Sequence, residues 1–451
     1  MSRFVRVSGL MITLVLASGC GAVAAPTPSA DSTRTAAPSD APSSAASPAD
    51  PPAASPTEPS AGGTSSRDPV RTVLERLTVE EKVGQLFMPV MYGATVTSSS
   101  PDNQAKFGVP TPAKAVAKYR PGGVIIFPWA GNVKNIKQVV ALTNGLQDAS
   151  PKVPLLIGAD QENGRVSRLA PLVTPLPAAK VIGDTRDLSL ARAAAKVTGT
   201  ELRALGINLD FAPVADVNIN PDNPVIGDRA YGSNPTRVAS MVGAAVKGFH
   251  DARVASTAKH FPGHGDTSVD SHTGLPVINH TRAQWERLSA PPFRAAIRNG
   301  VDAIMSAHVV MPKLDPTGDP ATLSKPILTG LLREHLGFNG VVSTDALDMA
   351  GVRDKYGDAE VAVRAILAGV DLLLMPPDMD KAYQGVLRAV KSGRIPAKRL
   401  DESVTRLLKL KAARGLLASA PRADAAKAAT VLRSPEHRAL ANSLANGAGR
   451  R

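Results

Sequence analysis

Residues 254–272 read VASTAKHFPGHGDTSVDSH, and this stretch shows how the chain passes from a buried strand to a polar loop. The apolar run Val254–Ala258 has the composition of a short buried β-strand. Pro262, Gly263 and Gly265 then exclude a regular helix, so the polar side chains that follow lie on a loop. Active-site residues are often carried on loops that a rigid element positions. The stretch therefore predicts a strand that leads into a functional loop.

The same arrangement of apolar run and polar residue recurs along the chain. The eight runs of strand character are Leu86–Val90, Gly123–Phe127, Leu155–Ala159, Asn208–Phe211, Val254–Lys259, Asp302–Ser306, Gly340–Thr344 and Asp371–Met375. Segments with helical spacing lie between them, including Leu188–Leu205, Arg237–Ala252, Pro291–Asn299, Leu328–Leu336, Ala359–Ala368 and Met379–Ser392. This alternation predicts an α/β fold with a parallel sheet, and eight units predict a closed (β/α)8 TIM barrel forming a single catalytic domain. A doubly wound open sheet is the alternative, but no glycine-rich phosphate turn follows the first strand.

Polar residues stand at the C-terminal ends of five of the predicted strands. They are Asp160, Asp210, Lys259 with His260, His308 and Asp345. In barrel enzymes this rim is where active sites are assembled. We therefore expect these side chains to lie close to one another.

Three interpretations compete for the loop that follows Lys259. It is a polar turn, a metal site, or an acid–base pair. His260 and His264 are four residues apart, but a proline and a glycine between them prevent the shared helix face that paired zinc ligands use. The spacing of Asp270 and His272 lets the carboxylate hold one ring nitrogen while the other faces a substrate. We favour acid–base catalysis.

The run KHFPGHGDTSVDSH at 259–272 resembles the signature of family 3 glycoside hydrolases, specifically the β-N-acetylglucosaminidase branch. In that branch a histidine on a loop, paired with an aspartate, replaces the usual carboxylic acid catalyst. Segments with the same resemblance are DQENGRV at 160–166, LGINLDFAPVAD at 205–216, DRAYG at 228–232 and STDALDM at 343–349. The resemblance extends from about Leu77 to about Leu410 and implies the same barrel fold. Within the branch, the chain resembles exported lipoprotein members of mycobacteria and their relatives.

The resemblance implies a role for each matching residue. Retaining hydrolysis needs a carboxylate nucleophile and a group that protonates the leaving oxygen and later deprotonates water. Asp345 matches the nucleophile, His272 the acid/base and Asp270 the carboxylate that orients it. The sugar-binding positions of the first subsite are matched by Asp160, Arg229, Lys259 and His260. Structural support is expected from Arg165, His264 and His308. Without the resemblance, Asp345 could instead cap the following helix.

The activity implied is that of a retaining exo-β-N-acetylglucosaminidase. It would release terminal non-reducing N-acetylglucosamine from cell-wall (peptidoglycan) fragments through a covalent glycosyl-Asp345 intermediate. The mechanism needs no metal and no organic cofactor. The alternatives are a β-glucosidase or β-xylosidase of the same family, an N-acetylglucosaminide phosphorylase, or a catalytically silent cell-wall-binding lipoprotein. The presence of Asp345, Asp270 and His272 together argues against a silent protein.

The N-terminal region indicates export. Arg3 and Arg6 precede the apolar run Leu10–Leu16, which is too short to span a bilayer stably. Small residues then precede Cys20, the only cysteine in the chain, as in a bacterial lipobox. We expect cleavage before Cys20 and lipid attachment to its thiol, so that the protein is anchored to the cell membrane and faces the cell wall. The alternative is an ordinary signal peptide in which Cys20 is incidental.

Composition divides the whole chain into four regions. We predict a lipoprotein signal peptide at 1–19, an Ala/Pro/Ser/Thr-rich disordered tether at 20–66, the barrel at 67–415 and an Ala-rich helical C-terminal extension at 416–451. Within the barrel region, Thr78 and Glu81 have the spacing of a helix-starting capping box. We expect a monomer.

The formal net charge of +13 does not indicate a nucleic-acid-binding protein. Aromatic residues make up only 4% of the chain and do not alternate with basic residues, so no base-stacking platform is predicted. The expected partner is a carbohydrate, and the charge predicts only weak attraction to anionic cell-envelope polymers.

Overall fold

The computed structural model describes residues 68–271, 274–353, 355–418 and 422–448. The predicted signal peptide, tether and lipid-attachment residue Cys20 lie outside the described residues, and so does the predicted acid/base His272. Within the described ranges, no helix has both the length and the apolar character needed to cross a membrane.

Parallel strands form the centre of the described structure. The strands are β1 (Phe87–Met88), β2 (Gly123–Ile125), β3 (Leu156–Ala159), β4 (Gln161–Asn163), β5 (Val166–Ser167), β6 (Leu209–Asp210), β7 (Ala255–Phe261), β8 (Ala303–Ser306), β9 (Val341–Ser343) and β10 (Leu373–Leu374). Six of them form one parallel sheet in the order β2-β3-β6-β7-β8-β9, and β1 pairs in parallel with β10. β4 and β5 form a separate antiparallel hairpin. Seven of the eight predicted strand runs contain one of the parallel strands, and the eighth, Val254–Lys259, overlaps β7, which extends two residues further. The strand predictions and the α/β class are therefore confirmed.

Isolated parallel bridges connect the β1–β10 pair to both ends of the six-stranded sheet. Val90, just after β1, bridges Ile125 in β2, and Ser343 in β9 bridges Leu372, just before β10. Backbone hydrogen bonds accompany the bridges, including Thr344 N–H to the Leu372 carbonyl at 3.0 Å. The sheet order thus follows the chain order, because each strand lies beside the next parallel strand in the sequence.

Helices follow and cover the strands. They are α1 (Pro69–Arg76), α2 (Val79–Gln85), α3 (Pro101–Phe107), α4 (Pro112–Tyr119), α5 (Ile136–Asp148), α6 (Ala179–Thr185), α7 (Leu188–Ala204), α8 (Pro235–Asp251), α9 (Arg282–Leu288), α10 (Ala290–Arg298), α11 (Ala350–Arg353), α12 (Asp358–Ala368), α13 (Met379–Lys391), α14 (Ala397–Ala413), α15 (Ala425–Val431) and α16 (Pro435–Ala448). The predicted capping box is confirmed at the start of α2: Glu81 N–H donates to Thr78 Oγ1, and Thr78 N–H donates to Glu81 Oε2.

One predicted helix differs in type. Pro326–His335 is a π-helix, in which backbone bonds reach five residues back, as from Leu336 N–H to the Leu331 carbonyl at 2.9 Å. Apolar spacing does not separate this widened helix from an α-helix, because both present one apolar face to the sheet.

The eight parallel strands are buried on both faces. All seven residues of β7 are buried, as expected where helices cover one face and side chains fill the other. The helix layer is closely packed, and at Gly248 in α8 a Cβ atom would lie only 2.2 Å from the Arg192 carbonyl oxygen in α7. Glycine is required there because the two backbones approach so closely.

The C-terminal segment holds helices that pack against the rest of the molecule. α15 and α16 contact α5, α6 and α7. Ala428, Ala441 and Leu444 in these helices are buried, and so is Leu432, just after α15. The buried Glu201 carboxylate of α7 accepts hydrogen bonds from Arg433 N–H and His437 Nδ1, both at 2.8 Å. The described part of this segment is thus attached through apolar and polar contacts.

Candidate active site

A cavity of about 280 Å³ opens at the C-terminal ends of the parallel strands. Asp160 follows β3 directly, Lys259 and His260 stand at the end of β7, and Asp345 lies two residues beyond β9. The predicted residues in its wall are Asp160, Arg229, Lys259, His260, Asp270 and Asp345. The structure therefore brings together all predicted site residues that lie within its described ranges, whereas His272 and Cys20 lie outside them.

Glu162 connects two cations at the base of the cavity. Arg229 pairs with both of its carboxylate oxygens, at 2.7 and 2.8 Å, and Lys259 Nζ lies 2.7 Å from Oε1. Lys259 also donates to Asp160 Oδ1 at 2.8 Å. The Glu162 side chain is only 4% exposed. The four side chains form one buried network in which opposite charges alternate.

The pKa shifts in this network follow from burial and charge. Burial raises the pKa of Glu162, but Lys259 and Arg229 outweigh burial and hold that pKa well below its usual range. Burial lowers the pKa of Lys259, whereas Asp160 and Glu162 raise it more, so its net shift is upward. Glu162 and Lys259 are therefore ionised at neutral pH, and the site presents fixed donors and acceptors suited to sugar hydroxyls.

His260 is held by a second buried carboxylate. Asp216 Oδ2 lies 2.7 Å from His260 Nδ1, and Asp216 Oδ1 accepts the His264 N–H at 2.6 Å. Burial raises the pKa of Asp216, but His260 and His264 outweigh burial and lower it overall. Because Nδ1 faces Asp216, His260 Nε2 faces Arg229, 3.4 Å from Nη2.

Asp345 is a partly buried carboxylate with a lowered pKa. Burial raises that pKa, but His260, His308 and the Ala346 N–H together outweigh burial. Its backbone N–H donates to the Ser306 carbonyl at 3.1 Å, which ties it to the end of β8. Oδ1 accepts the N–H of the adjacent Ala346 at 2.8 Å, and the next helix, α11, begins only at Ala350. Asp345 therefore does not cap a helix, and its ionised carboxylate faces the cavity.

The described part of the loop after β7 is anchored by His264. This buried ring lies 2.9 Å from Ser271 Oγ through Nε2 and 3.0 Å from Thr267 Oγ1 through Nδ1. Burial, then the nearby His260, lowers the pKa of His264 to about 4, so the ring is neutral at pH 7. Asp270 and Ser271 reach the cavity wall. His264 thus has the supporting role that the sequence predicts.

The other two predicted supports also lie at the site. Arg165 lines the cavity, pairs with Asp228 at 2.9 Å and donates to the Val225 carbonyl at 2.6 Å. His308 is buried beside Asp345, with Nε2 at 3.0 Å from the Ala346 carbonyl oxygen. Arg165 therefore fixes the segment that precedes Arg229, and His308 fixes the turn after Asp345.

Sequence reasoning assigned no role to Glu162, Asp216 or Arg168, although the first two stand inside quoted motifs. Asp160 and Glu162 are two residues apart in an extended segment, so they project to the same side, and this spacing was the available signal. Asp210, at the end of β6, is buried beneath the site and accepts the Gln161 N–H at 2.9 Å. Its carboxyl therefore positions the hairpin that carries Glu162.

Among the described residues, no group of three or more histidine, cysteine, aspartate or glutamate side chains has the arrangement of a metal site. His260 and His264 each have hydrogen-bond partners that account for both ring nitrogens.

A parallel α/β fold with an ionised carboxylate and an alternating ion-pair network at its strand ends defines the class of protein, a glycoside hydrolase. Residues 78–410 match the family model described as the glycosyl hydrolase family 3 N terminal domain. The chain belongs to glycosyl hydrolase family 3.

Several known proteins are similar in sequence to this chain over most of its length. The chain is 37% identical over 404 residues to a beta-hexosaminidase A of Pseudoalteromonas piscicida, covering 82% of this chain and 66% of that protein. It is 33% identical to a beta-N-acetylglucosaminidase/beta-glucosidase of Cellulomonas fimi, covering 83% of this chain and 64% of that protein. The match thus spans just under two thirds of each relative. A solved family 3 beta-N-acetylglucosaminidase from Paenibacillus sp. str. FPU-7 has a TM-score of 0.75 and 43% identity, over 82% of this chain and 69% of that one.

Proposed function

We propose that this protein is a retaining exo-β-N-acetylglucosaminidase. The observation that carries the proposal is Asp345, a partly buried carboxylate with a lowered pKa in the same cavity as the Asp160, Glu162, Lys259 and Arg229 network. A nucleophile must be ionised, and the network offers donors and acceptors for a ring that carries several hydroxyls. The names of the relatives at 37% and 33% identity support the 2-acetamido sugar as substrate.

The proposed reaction has two steps. In the first, Asp345 attacks the anomeric carbon, the glycosidic bond breaks, and His272 gives its proton to the leaving oxygen. In the second, neutral His272 takes a proton from water, whose oxygen attacks the anomeric carbon and releases Asp345. Asp270 orients His272 and favours its protonated form. The sugar leaves with the anomeric configuration of the substrate.

The substrate is proposed to be a terminal non-reducing sugar of cell-wall fragments. A cavity of about 280 Å³ with a charged base suits one sugar ring, so cleavage removes one residue at a time. The lipobox-like stretch before Cys20 supports export and a lipid anchor on the membrane, beside the cell wall. In this arrangement residues 20–66 are the tether between the anchor and the catalytic region.

The eight parallel strands are proposed to form one closed (β/α)8 barrel. The bridges Val90–Ile125 and Ser343–Leu372 support closure, because they join the β1–β10 pair to both ends of the six-stranded sheet. An experimental structure in which either bridge is replaced by a gap would contradict it.

Leaving-group dependence tests the mechanism. A sugar leaving group needs protonation as the bond breaks, whereas a dinitrophenolate scarcely does, and both need the nucleophile. His272→Ala should therefore lose about 10²–10⁴-fold in rate on a disaccharide and far less in glycosylation rate on a dinitrophenyl N-acetylglucosaminide. Asp345→Ala should lose turnover on both substrates. An equal loss for His272→Ala on the two substrates would remove that residue from the acid role.

The same assay separates the alternatives for the activity. Matched aryl glycosides with and without the 2-acetamido group distinguish an N-acetylglucosaminidase from a β-glucosidase. Product analysis with and without phosphate distinguishes free N-acetylglucosamine from its 1-phosphate. No turnover of any of these glycosides by the unaltered protein would support the silent-lipoprotein alternative.

A further inference from the structure

Three aromatic side chains cluster at the C-terminal ends of β1 and β2. Phe127 and Trp129 stack with ring centroids 4.9 Å apart and planes inclined by 25°. Tyr92, from the neighbouring strand end, lies 5.8 Å from the Trp129 ring. Trp129 is 54% exposed, whereas Phe127 beneath it is only 5% exposed. Most of one large apolar ring is therefore presented to solvent on a buried aromatic base.

The turn that carries Trp129 is held by the buried Asn132. Its Oδ1 accepts the Phe127 N–H at 3.0 Å, and its Nδ2 donates to the Met91 and Gly93 carbonyls at 2.9 Å each. These bonds join the loop after β2 to the loop after β1. Trp129 therefore stands on a preorganised turn, and binding a ligand would cost little ordering of the loop.

Arg168 connects the aromatic cluster to the catalytic cavity. It lines the cavity, and its guanidinium carbon lies 5.8 Å from the Phe127 ring centroid. Its backbone N–H donates to the Asp160 carbonyl at 3.3 Å. Arg168 Nε is buried and has no partner among the described residues, so it retains one donor beside the cavity. The cluster therefore adjoins the rim of the site that holds Asp160.

We propose that Trp129 is the platform of a leaving-group subsite, on which the sugar next to the scissile bond stacks. This inference rests on the proposed function. It adds that the rim beside Asp160 binds the second sugar of the substrate, the one that leaves when the glycosidic bond is cleaved. The face of a pyranose ring is lined with C–H groups, which pack on an aromatic face, while its hydroxyls remain hydrated at the edge. An exposed tryptophan supported from below by Phe127 matches such a ring.

Fluorescence quenching gives a direct test, because the chain has two tryptophans. Trp285 is fully buried and its Nε1 donates to the Pro262 carbonyl at 2.8 Å, so acrylamide quenches mainly Trp129. In Asp345→Asn protein, which cannot cleave its ligand, saturating N,N′-diacetylchitobiose should reduce acrylamide quenching about two-fold, since a stacked ring covers Trp129. Free N-acetylglucosamine, which fills only the cavity, should not reduce it.

The matched control is Trp129→Phe in the same Asp345→Asn background, where the remaining emission comes from Trp285. Its quenching should not respond to the disaccharide. If calorimetry shows that the disaccharide binds while Trp129 quenching stays unchanged, the platform is overturned.

Kinetics provides the second test. Trp129→Ala should raise KM for the disaccharide about ten-fold, which corresponds to about 1.4 kcal/mol. The inhibition constant of free N-acetylglucosamine should change less than about two-fold, and Trp129→Phe should recover part of the loss. Leu188→Ala, which removes another exposed apolar side chain on α7, should leave KM unchanged. An unchanged KM for the disaccharide in Trp129→Ala would contradict the role of Trp129 in the leaving-group subsite and leave the proposed function intact. Failure of the unaltered protein to cleave any β-N-acetylglucosaminide would contradict the proposed function itself.

Discussion

Glu162 holds the cations of the site together, and its charge should be essential for stability. Without it, Lys259 and Arg229 would face each other in a buried network in which Asp160 pairs with Lys259. We expect Glu162→Gln to lower the free energy of unfolding by about 3–5 kcal/mol, because it leaves buried charge uncompensated. Denaturant unfolding monitored by circular dichroism measures the change. Asp184→Asn, which breaks the exposed Lys180–Asp184 pair, is the control and should cost less than about 1 kcal/mol.

Wild type and Glu162→Gln can also be compared as a function of pH, and the direction of the change in stability is defined. The folded-state pKa of Glu162 is lowered from an ordinary value of 4.5, so its stabilising contribution is complete above pH 4.5 and is lost as the pH falls towards the folded-state pKa. The difference in unfolding free energy between wild type and Glu162→Gln should therefore narrow below pH 4.5. A difference that stayed constant to pH 3 would contradict the assigned ionisation.

At the scale of elements, α14 carries a fully buried lysine. Lys411 Nζ donates to Gln85 Oε1 at 2.7 Å, and Gln85 in turn donates to the Arg120 carbonyl just before β2. Burial lowers the pKa of Lys411 from 10.5 to about 7. Between pH 7 and pH 10.5, Lys411 is protonated in the unfolded chain but neutral in the folded protein. The free energy of unfolding of the wild type should therefore rise with pH over this range.

Lys411→Met removes this titration. We expect the variant to be more stable than wild type at pH 6 by about 1–4 kcal/mol, because a buried charge is replaced by an apolar chain of similar length. The advantage should shrink as the pH rises from 7 to 10.5, and thermal melts across that range measure it. Lys409→Met, at an exposed position on the same helix, is the matched control, with an expected change within about 0.5 kcal/mol at every pH. A pH-independent difference for Lys411→Met would mean that the lysine is not desolvated.

For the molecule as a whole, the proposed lipid anchor decides where the enzyme acts. Cys20→Ala should move the protein from the membrane fraction to the soluble fraction, because acyl chains rather than the catalytic region hold it at the membrane. Immunoblotting of fractionated cells measures the distribution. The net charge of +13 could also retain the protein on anionic polymers, so a high-salt wash is included to screen that attraction. A variant that stayed with the membranes after the wash would contradict the lipoprotein proposal.

Features that depend on neighbouring residues were predictable from the sequence. The apolar run Val254–Ala258 marks the first part of β7, and the Thr78–Glu81 spacing marks a capping box, because both patterns act within a few residues. The site residues Asp160, Lys259 and Asp345 were predictable because parallel strands carry their C-terminal ends to one edge. The individual roles that the resemblance to family 3 implies stay predictions, whereas the family model confirms the family itself.

Tertiary structure alone determined which of these side chains pair. Glu162 and Arg229 are 67 residues apart, and Asp160 and Lys259 are 99 apart, so sheet order rather than local pattern brings them into contact. The same holds for Tyr92, which comes close to Trp129 only where the ends of β1 and β2 meet. Local sequence determines which segments become strands and helices, because periodicity and capping act over short distances. The identity of each buried partner is decided by packing, because a desolvated charge is stable only beside the opposite charge that the fold supplies.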